Sequence, residues 1–436
     1  KETRLIMKIA LMTNNYKPIM GGVPISIERL ARGLTAMGHQ VTIFAPTYGD
    51  APQPDEENVF RYSVLLKRFV GGIVLPNPCD RRIEKEFAGN RYDVIHVHHP
   101  MLIGRTAVYL SRKYNIPLTF TYHTRYEQYA RCYTKGLLRL DKVMPLYLHT
   151  FLKHCSYVFA PTAGMRDYLV DTCRLAPEKT GILPTGIETA NFEVAREEAD
   201  ALRRSVGAEG IPLLLTVSRM AQEKNVDFLL ESLALAKEYY KKPFRMLMVG
   251  DGPDREALER KCVKLGLEAY VTFTGTIPND KIAPYFKAAD LFLFASKTET
   301  QGIVILEAFA GKTPVLAVRA TGVEDLVEDG RNGFLTLEEP HVFAAQLVSV
   351  LEGAYDRQAL EENAAQTAES YREEAVAMKA VCYYNNVIAD NIAIADSNAF
   401  AKNIVIADNA AAGRRGHSRK IWRGYRNGAE VSHFSG

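Results

Sequence analysis

Glu299 and Glu307 stand eight positions apart in the stretch ETQGIVILEAF, residues 299–309. Two chemistries suit such a pair. Flanking a scissile glycosidic bond, the carboxylates would act as acid and base or as acid and nucleophile, about 5 or 9 Å apart. Set on one ligand, they would accept hydrogen bonds from different hydroxyls. The local pattern around them, FLFASKTETQGIVILEAFAGKTPVLAV, reads strand, loop, helix, strand. Glu299 then lies in the loop, and Gly302 and Ile303 open the helix with amides that have no intrahelical acceptor. Glu307 lies inside the helix among Ile303, Val304, Ile305, Leu306, Ala308 and Phe309. A carboxylate in that surround calls for a partner, and a ribose diol is one that would satisfy it.

Other residues with chemical potential also fall at strand ends, where ligands bind in open α/β sheets. NNYKPIMGGVPISIERL places Gly21 and Gly22 between an apolar run and a helical pattern. Paired glycines there allow close approach to an anion or simply make a turn. They do not form the GxGxxG of a dinucleotide fold, which argues against a dehydrogenase. VSRMAQEKN brings Arg219 and Lys224 to another strand end, either as a cationic clamp for a pyrophosphate or as two surface cations. VGDGPDREAL adds Gly250 and Gly252, with Asp254 in position to cap a helix.

The elements that must hold these residues alternate between strand-like and helix-like runs, the signature of parallel sheets covered by helices on both faces. MKIALMTN, VTIFAP, YDVIHVHH, PLTFTYH and CSYVFAPT form one series, and PLLLTVSR, FRMLMVG, AYVTFTG, DLFLFAS and TPVLAVR form a second. The fold class is therefore α/β with two doubly wound domains. The first is expected over residues 1–195 and the second over 196–385, ending in one long helical run that returns to the first domain. Residues 386–436, with Ala-Asp repeats and then an Arg- and Gly-rich stretch, read as an irregular tail. The chain of 436 residues is 47% apolar and 24% charged, and no apolar run approaches the roughly 18 residues of a spanning helix. Its six cysteines are dispersed without a CxxC pair, which points to free thiols and away from zinc or disulfides. The residues before Met7 lack the apolar core of a secretion signal, so the protein is placed in the cytoplasm.

Taken in order, the Gly-Gly turn, SRMAQEKN, GDGP, ETQGIVILEA and TGVEDLVEDGRNGFL resemble the retaining nucleotide-sugar glycosyltransferases of glycosyltransferase family 4, which carry a Glu, seven residues, Glu signature. The resemblance spans roughly residues 7 to 385. It implies the GT-B fold, with two Rossmann-like domains facing a central cleft. It also implies a nucleotide-sugar donor and no obligatory metal, and the chain contains no Asp-x-Asp. By this likeness Gly22 approaches the diphosphate from the first domain, and Arg219 and Lys224 hold it from the second. Glu307 binds the ribose, while Glu299 and the amides of Gln301, Gly302 and Ile303 bind the sugar. The chain departs from the family at Asn225, where glycine is usual, and at TQG, where a phenylalanine is usual.

The segment from Thr119 to Val158 mixes Tyr126 and other tyrosines with Arg125, Arg131, Lys135 and Arg139. Such a composition fits either an anionic membrane surface or a solvated helix with a tyrosine-lined core face. HVHHPMLIG and TYHT resemble the branch of the family that glucosylates diacylglycerol. That likeness implies UDP-glucose as donor, a lipid acceptor, and a peripheral location on the inner face of the cell membrane. It also puts His123 near donor sugar and acceptor. Rival readings are an inositol lipid, soluble sugar or polysaccharide as acceptor, a UDP-sugar epimerase on the same fold, and a non-catalytic nucleotide-sugar sensor. No nucleic-acid partner is expected.

Overall fold

The computed structural model describes residues 6–19, 21–48, 57–67, 74–126 and 140–397. The chain forms two compact units, Lys1–Tyr383 and Tyr384–Gly436. In the second unit the described residues, 384–397, are helical.

The first unit contains two parallel sheets. One has the order β3-β2-β1-β6-β7-β8-β9. Its strands are β1 (Lys8–Met12), β2 (Gln40–Pro46), β3 (Val59–Tyr62), β6 (Val94–Val97), β7 (Leu118–Thr121), β8 (Tyr157–Ala160) and β9 (Thr180–Ile182). A short antiparallel pair, β4 (Val64–Leu66) and β5 (Leu75–Pro76), stands apart from it. The other sheet has the order β12-β11-β10-β13-β14-β15. Its strands are β10 (Leu213–Val217), β11 (Arg245–Val249), β12 (Val271–Gly275), β13 (Leu291–Phe294), β14 (Val315–Val318) and β15 (Gly333–Thr336). Each sheet starts in the middle, winds outward, and then reverses to the other side of its first strand, the Rossmann order. The reversal leaves a crevice between β1 and β6 in one sheet and between β10 and β13 in the other.

Central strands such as β6, β7 and β13 are buried along their whole length, because helices cover both faces. This is why they read in sequence as short unbroken apolar runs. Strands β3 to β5, β9 and β15 were not expected. They are short, and at β3 and β15 they lie on sheet edges, where the apolar run shrinks. The long helical run expected after residue 355 is broken. The helix Arg357–Ser370 stops, and the Tyr371 carbonyl and Glu373 amide instead bond to Ile187 at 2.8 and 3.2 Å. From Glu373 a second helix runs back along the first sheet, where Tyr383 meets Tyr157 and Phe159 with ring centroids 5.2 Å apart in each case.

The glycines of VGDGP have a structural task. Gly250 has φ +130, and an added Cβ would lie 1.9 Å from the Ser218 carbonyl oxygen. An added Cβ at Gly252 would lie 2.3 Å from the Met220 carbonyl oxygen, and the Asp254 amide donates to that carbonyl at 3.0 Å. The Asp254 side chain makes no capping hydrogen bond, contrary to expectation. The GDGP turn thus buttresses the loop that carries Arg219. Replacing Gly250 by Ala should cost about 2 kcal/mol or more, since backbone must move and the residue is forced into a region L side chains avoid. Gly89→Ala, which meets nothing within 4 Å, should be nearly neutral. Urea denaturation of the two variants checks the contrast, and equal midpoints would contradict it.

Candidate active site

Both crevices open at the carboxyl ends of the strands, and the residues singled out in sequence lie there. Beyond β10 come Arg219 and Lys224. The latter closes a short turn at Asn225, which adopts φ +55. Glycine holds that left-handed conformation most readily and asparagine is the next most tolerant, so Asn225 keeps the shape at the position where glycine is usual. Beyond β13, residues 295–302 form the loop that carries Glu299. It ends at Gly302, whose φ of +76 turns the chain into the helix Ile303–Ala310.

Lys224 Nζ donates to Glu299 Oε1, and only about a fifth of either side chain reaches solvent. Burial pushes the Glu299 carboxyl up, but the Lys224 charge and hydrogen bonds from Lys224 and Ser296 outweigh it and hold the group below the usual carboxylate range. Glu299 is therefore ionised and fixed. Arg219 pairs with Glu223 on the same turn and keeps half of its side chain exposed. Gly22 opens the helix Gly22–Ala36 beyond β1, and its Cα faces Ile303. A Cβ there would lie 3.6 Å from the Ile303 Cδ1. The two helix starts expected to flank a diphosphate thus stand opposite each other.

The Glu299 loop is also tied to the first sheet. Thr300 Oγ1 donates to the His123 carbonyl at 2.8 Å, and the Thr162 hydroxyl donates to the Thr300 carbonyl at 3.2 Å. Gln301 grips Thr185 twice: it accepts from the backbone amide at 2.6 Å and donates to the carbonyl at 3.0 Å. The TQG that departs from the family pattern is the element that pins this loop across the cleft.

Glu307 does not point into open space. Its Oε1 accepts from Arg29 Nη2 at 3.0 Å, across the cleft from the helix Gly22–Ala36. Burial raises the Glu307 carboxyl and the Arg29 charge only partly offsets this, so it stays above its ordinary value.

His123 heads a file of imidazoles at the ends of β6 and β7. His98 Nδ1 and His123 Nε2 are 2.8 Å apart, and the rings of His96, His98 and His123 stack at 4.3 and 5.1 Å. His96 Nε2 bonds the Thr121 hydroxyl at 2.7 Å, and His99 Nδ1 meets the Thr13 hydroxyl and the Asn14 amide, each at 3.2 Å. Burial holds all four imidazoles neutral, with His96 near 3, His99 near 4, and His98 and His123 well below the ordinary value.

Of the residues expected to meet an acceptor or a membrane, Arg125 lies 4.5 Å over the Tyr168 ring. Tyr126 is buried and edge-on to Tyr122, so it packs in the core beneath that surface. Arg131, Lys135 and Arg139 lie outside the described residues. Nearby, a cavity of about 680 Å³ opens between the helices Ile103–Tyr114 and Leu140–Leu152, lined by Arg105, Arg112, His154, Tyr147 and Phe151. Among the described residues, no helix is long and apolar enough to cross a membrane, and no group of three or more His, Cys, Asp or Glu is placed to hold a metal ion.

Two Rossmann-like domains whose switch-point loops meet over a carboxylate, a lysine and two helix starts define the GT-B class of glycosyltransferases. Residues 20–191 match Glycosyltransferase Family 4, and residues 198–367 match Glycosyl transferases group 1. The chain is 33% identical over 353 residues to the α-monoglucosyldiacylglycerol synthase of Streptococcus pneumoniae, covering 79% of this chain and 78% of that one. It is 30% identical over 342 residues to the protein of the same name from Acholeplasma laidlawii, covering 75% and 84%. The crystal structure of Anabaena Alr3699/HepE in complex with UDP superposes with a TM-score of 0.70 at 20% identity, over 87% of this chain and all of the other. This chain belongs to the GT-B glycosyltransferases that join a family 4 amino-terminal domain to a group 1 carboxyl-terminal domain.

Sequence reasoning missed Arg29, Thr185 and His98. His98 stood in the quoted HVHH, and Thr300 and Gln301 in the TQG departure, whereas Arg29 carries no local signal beyond its place on an amphipathic helix. The neutral histidines predict a pH dependence. Between the folded and unfolded values the unfolded chain binds more protons, so stability is full above about pH 6.5 and is lost as pH falls toward 4. Each of the fully buried rings of His96 and His98 should cost about 1 kcal/mol between pH 7 and 5.5. Urea midpoints at the two pH values test this, and His96→Gln should flatten the slope. An unchanged slope in that variant would remove His96 from the account.

Proposed function

We propose that this enzyme is a retaining hexosyltransferase that moves glucose from UDP-glucose to 1,2-diacylglycerol, working as a peripheral protein on the cytoplasmic face of the membrane. The observation that carries this reading is the convergence of Glu299, Lys224, Gly22 and His123 on one crevice in a chain so similar to α-monoglucosyldiacylglycerol synthases. The basic and aromatic lining of the cavity beside the helix Leu140–Leu152 supports a lipid surface as the place of work.

In this reading Arg219 and Lys224 neutralise the diphosphate, with the amides of Gly302 and Ile303 and the close approach of Gly22 completing its cradle. Lysine has three N–H donors, so Lys224 can hold Glu299 and a phosphate oxygen together. Glu307 takes the ribose and His123 stands beside the sugar. The bond from the anomeric carbon to the departing phosphate oxygen breaks, and the acceptor hydroxyl oxygen bonds to the same face of that carbon. The acceptor proton passes to the phosphate oxygen. Glu299, ionised and fixed, orients the sugar and stabilises the positive charge that develops on the anomeric carbon.

Incubation with labelled UDP-glucose and diacylglycerol vesicles should yield glucosyldiacylglycerol by mass. Absence of a lipid product at every lipid composition would overturn the acceptor, and a new hexose formed from donor alone would favour an epimerase. Glu299→Ala should reduce transfer about a thousandfold with UDP affinity retained, as for loss of one preorganised charge contact at the reacting centre. Glu307→Ala should instead weaken UDP itself, measured by calorimetry. Equal loss of UDP binding in both would refute the division of labour.

A further inference from the structure

Glu307 is 15% exposed and Arg29 14%, so two charges from opposite sides of the cleft are nearly dry. A buried carboxylate is tolerated only when its charge is answered, and here the answer comes from 278 positions away in the chain. The guanidinium is held on three sides. Besides Glu307, Nη1 donates to the Gly186 carbonyl at 3.0 Å, and Nε lies 3.7 Å from Glu373 Oε1. Glu373 is itself clamped by Arg32, whose Nε and Nη2 donate to its two oxygens at 2.9 and 2.6 Å. Arg29 therefore has little freedom, and its hydrogen bond to Glu307 goes to Oε1.

We infer that Arg29 is a positioning residue for the nucleotide, fixing the Glu307 carboxylate so that it can accept hydrogen bonds from the ribose 2′- and 3′-hydroxyls. This rests on the reading of Glu307 as the ribose ligand. A protonated or swinging carboxyl would lose acceptor capacity and direction; the Arg29 charge opposes the first and its hydrogen bond restrains the second. Because Arg29 belongs to the amino-terminal half, the ribose site is complete only with both halves in place. Its effect should fall on recognition of the diol and leave the phosphate contacts alone. A purely structural ion pair would affect all nucleotides alike.

The test is titration calorimetry at pH 7.5 with UDP and 2′-deoxy-UDP, on the full chain and on Arg29→Gln, Arg29→Lys and Glu307→Gln. The parent should prefer UDP. Arg29→Gln should weaken UDP by about ten- to a hundredfold, the range of a hydrogen bond to a charged group, and 2′-deoxy-UDP much less, so that the preference collapses. Arg29→Lys keeps the charge without the fork and should fall between, which also serves if Arg29→Gln does not fold. Adding Arg29→Gln to Glu307→Gln should cost little more than Glu307→Gln alone. An unchanged preference in Arg29→Gln, with either equal weakening or none, overturns the inference while leaving a UDP-binding enzyme intact. Tighter UDP binding would overturn it too, by showing that Arg29 competes with the ribose. A parent that binds neither nucleotide would defeat both the inference and the donor reading beneath it.

Discussion

An ionised carboxylate taken out of water must be answered by a cation in a fixed place, and the crevice is organised around two such demands. Glu299 is answered by Lys224 from the loop beyond β10. Glu307 is answered by Arg29 from the opposite half. The first pair is local to one sheet, and its charge balance leaves Glu299 ionised below the usual range. The second crosses the cleft and leaves Glu307 above it. Two glutamates of the same signature are thus given different electrostatic characters by their surroundings.

The sheets exist to deliver these partners. A parallel sheet that reverses its winding leaves a gap at the carboxyl ends of its strands, and here the two gaps meet where Gly22 approaches Ile303. Helix starts then aim free amides into the same space. The loop between β13 and the helix Ile303–Ala310 does not float in this space, because Thr300 and Gln301 bind it to the His123 and Thr185 backbones. The GDGP turn holds the Arg219 loop from behind through contacts only glycine permits. Rigid backbone on each side is what makes the placement of single charges meaningful.

The neutral histidine file adds a different quality to the first sheet's contribution. Imidazoles that refuse protons can donate from one nitrogen and accept at the other across the working pH range. A cation among them would also raise the positive potential at the ends of β6 and β7. Burial prevents that, with no acidic partner required.

Much of this was legible in the residues themselves. Fully buried strands announce themselves as short apolar runs because both of their faces are covered, so ten strands, both series and the Glu299 and Lys224 loops could be read locally. Edge strand β3 escaped because its partly exposed residues relax that demand, β15 because Gly333 and Thr336 leave it only two apolar residues, and the break at Tyr371 because its cause is Ile187, far upstream. The Tyr126 ring is core, one of the two placements that composition left open, since composition does not say which face of a segment is covered. The sequence by itself determined which residues could do chemistry and on which elements they sit, because those depend on side-chain type and on periodicities of two and 3.6 residues. Only the tertiary structure decided which charge answers which. Arg29 and Glu307 are joined by packing of two separate sheets, and no spacing along the chain encodes a contact between them.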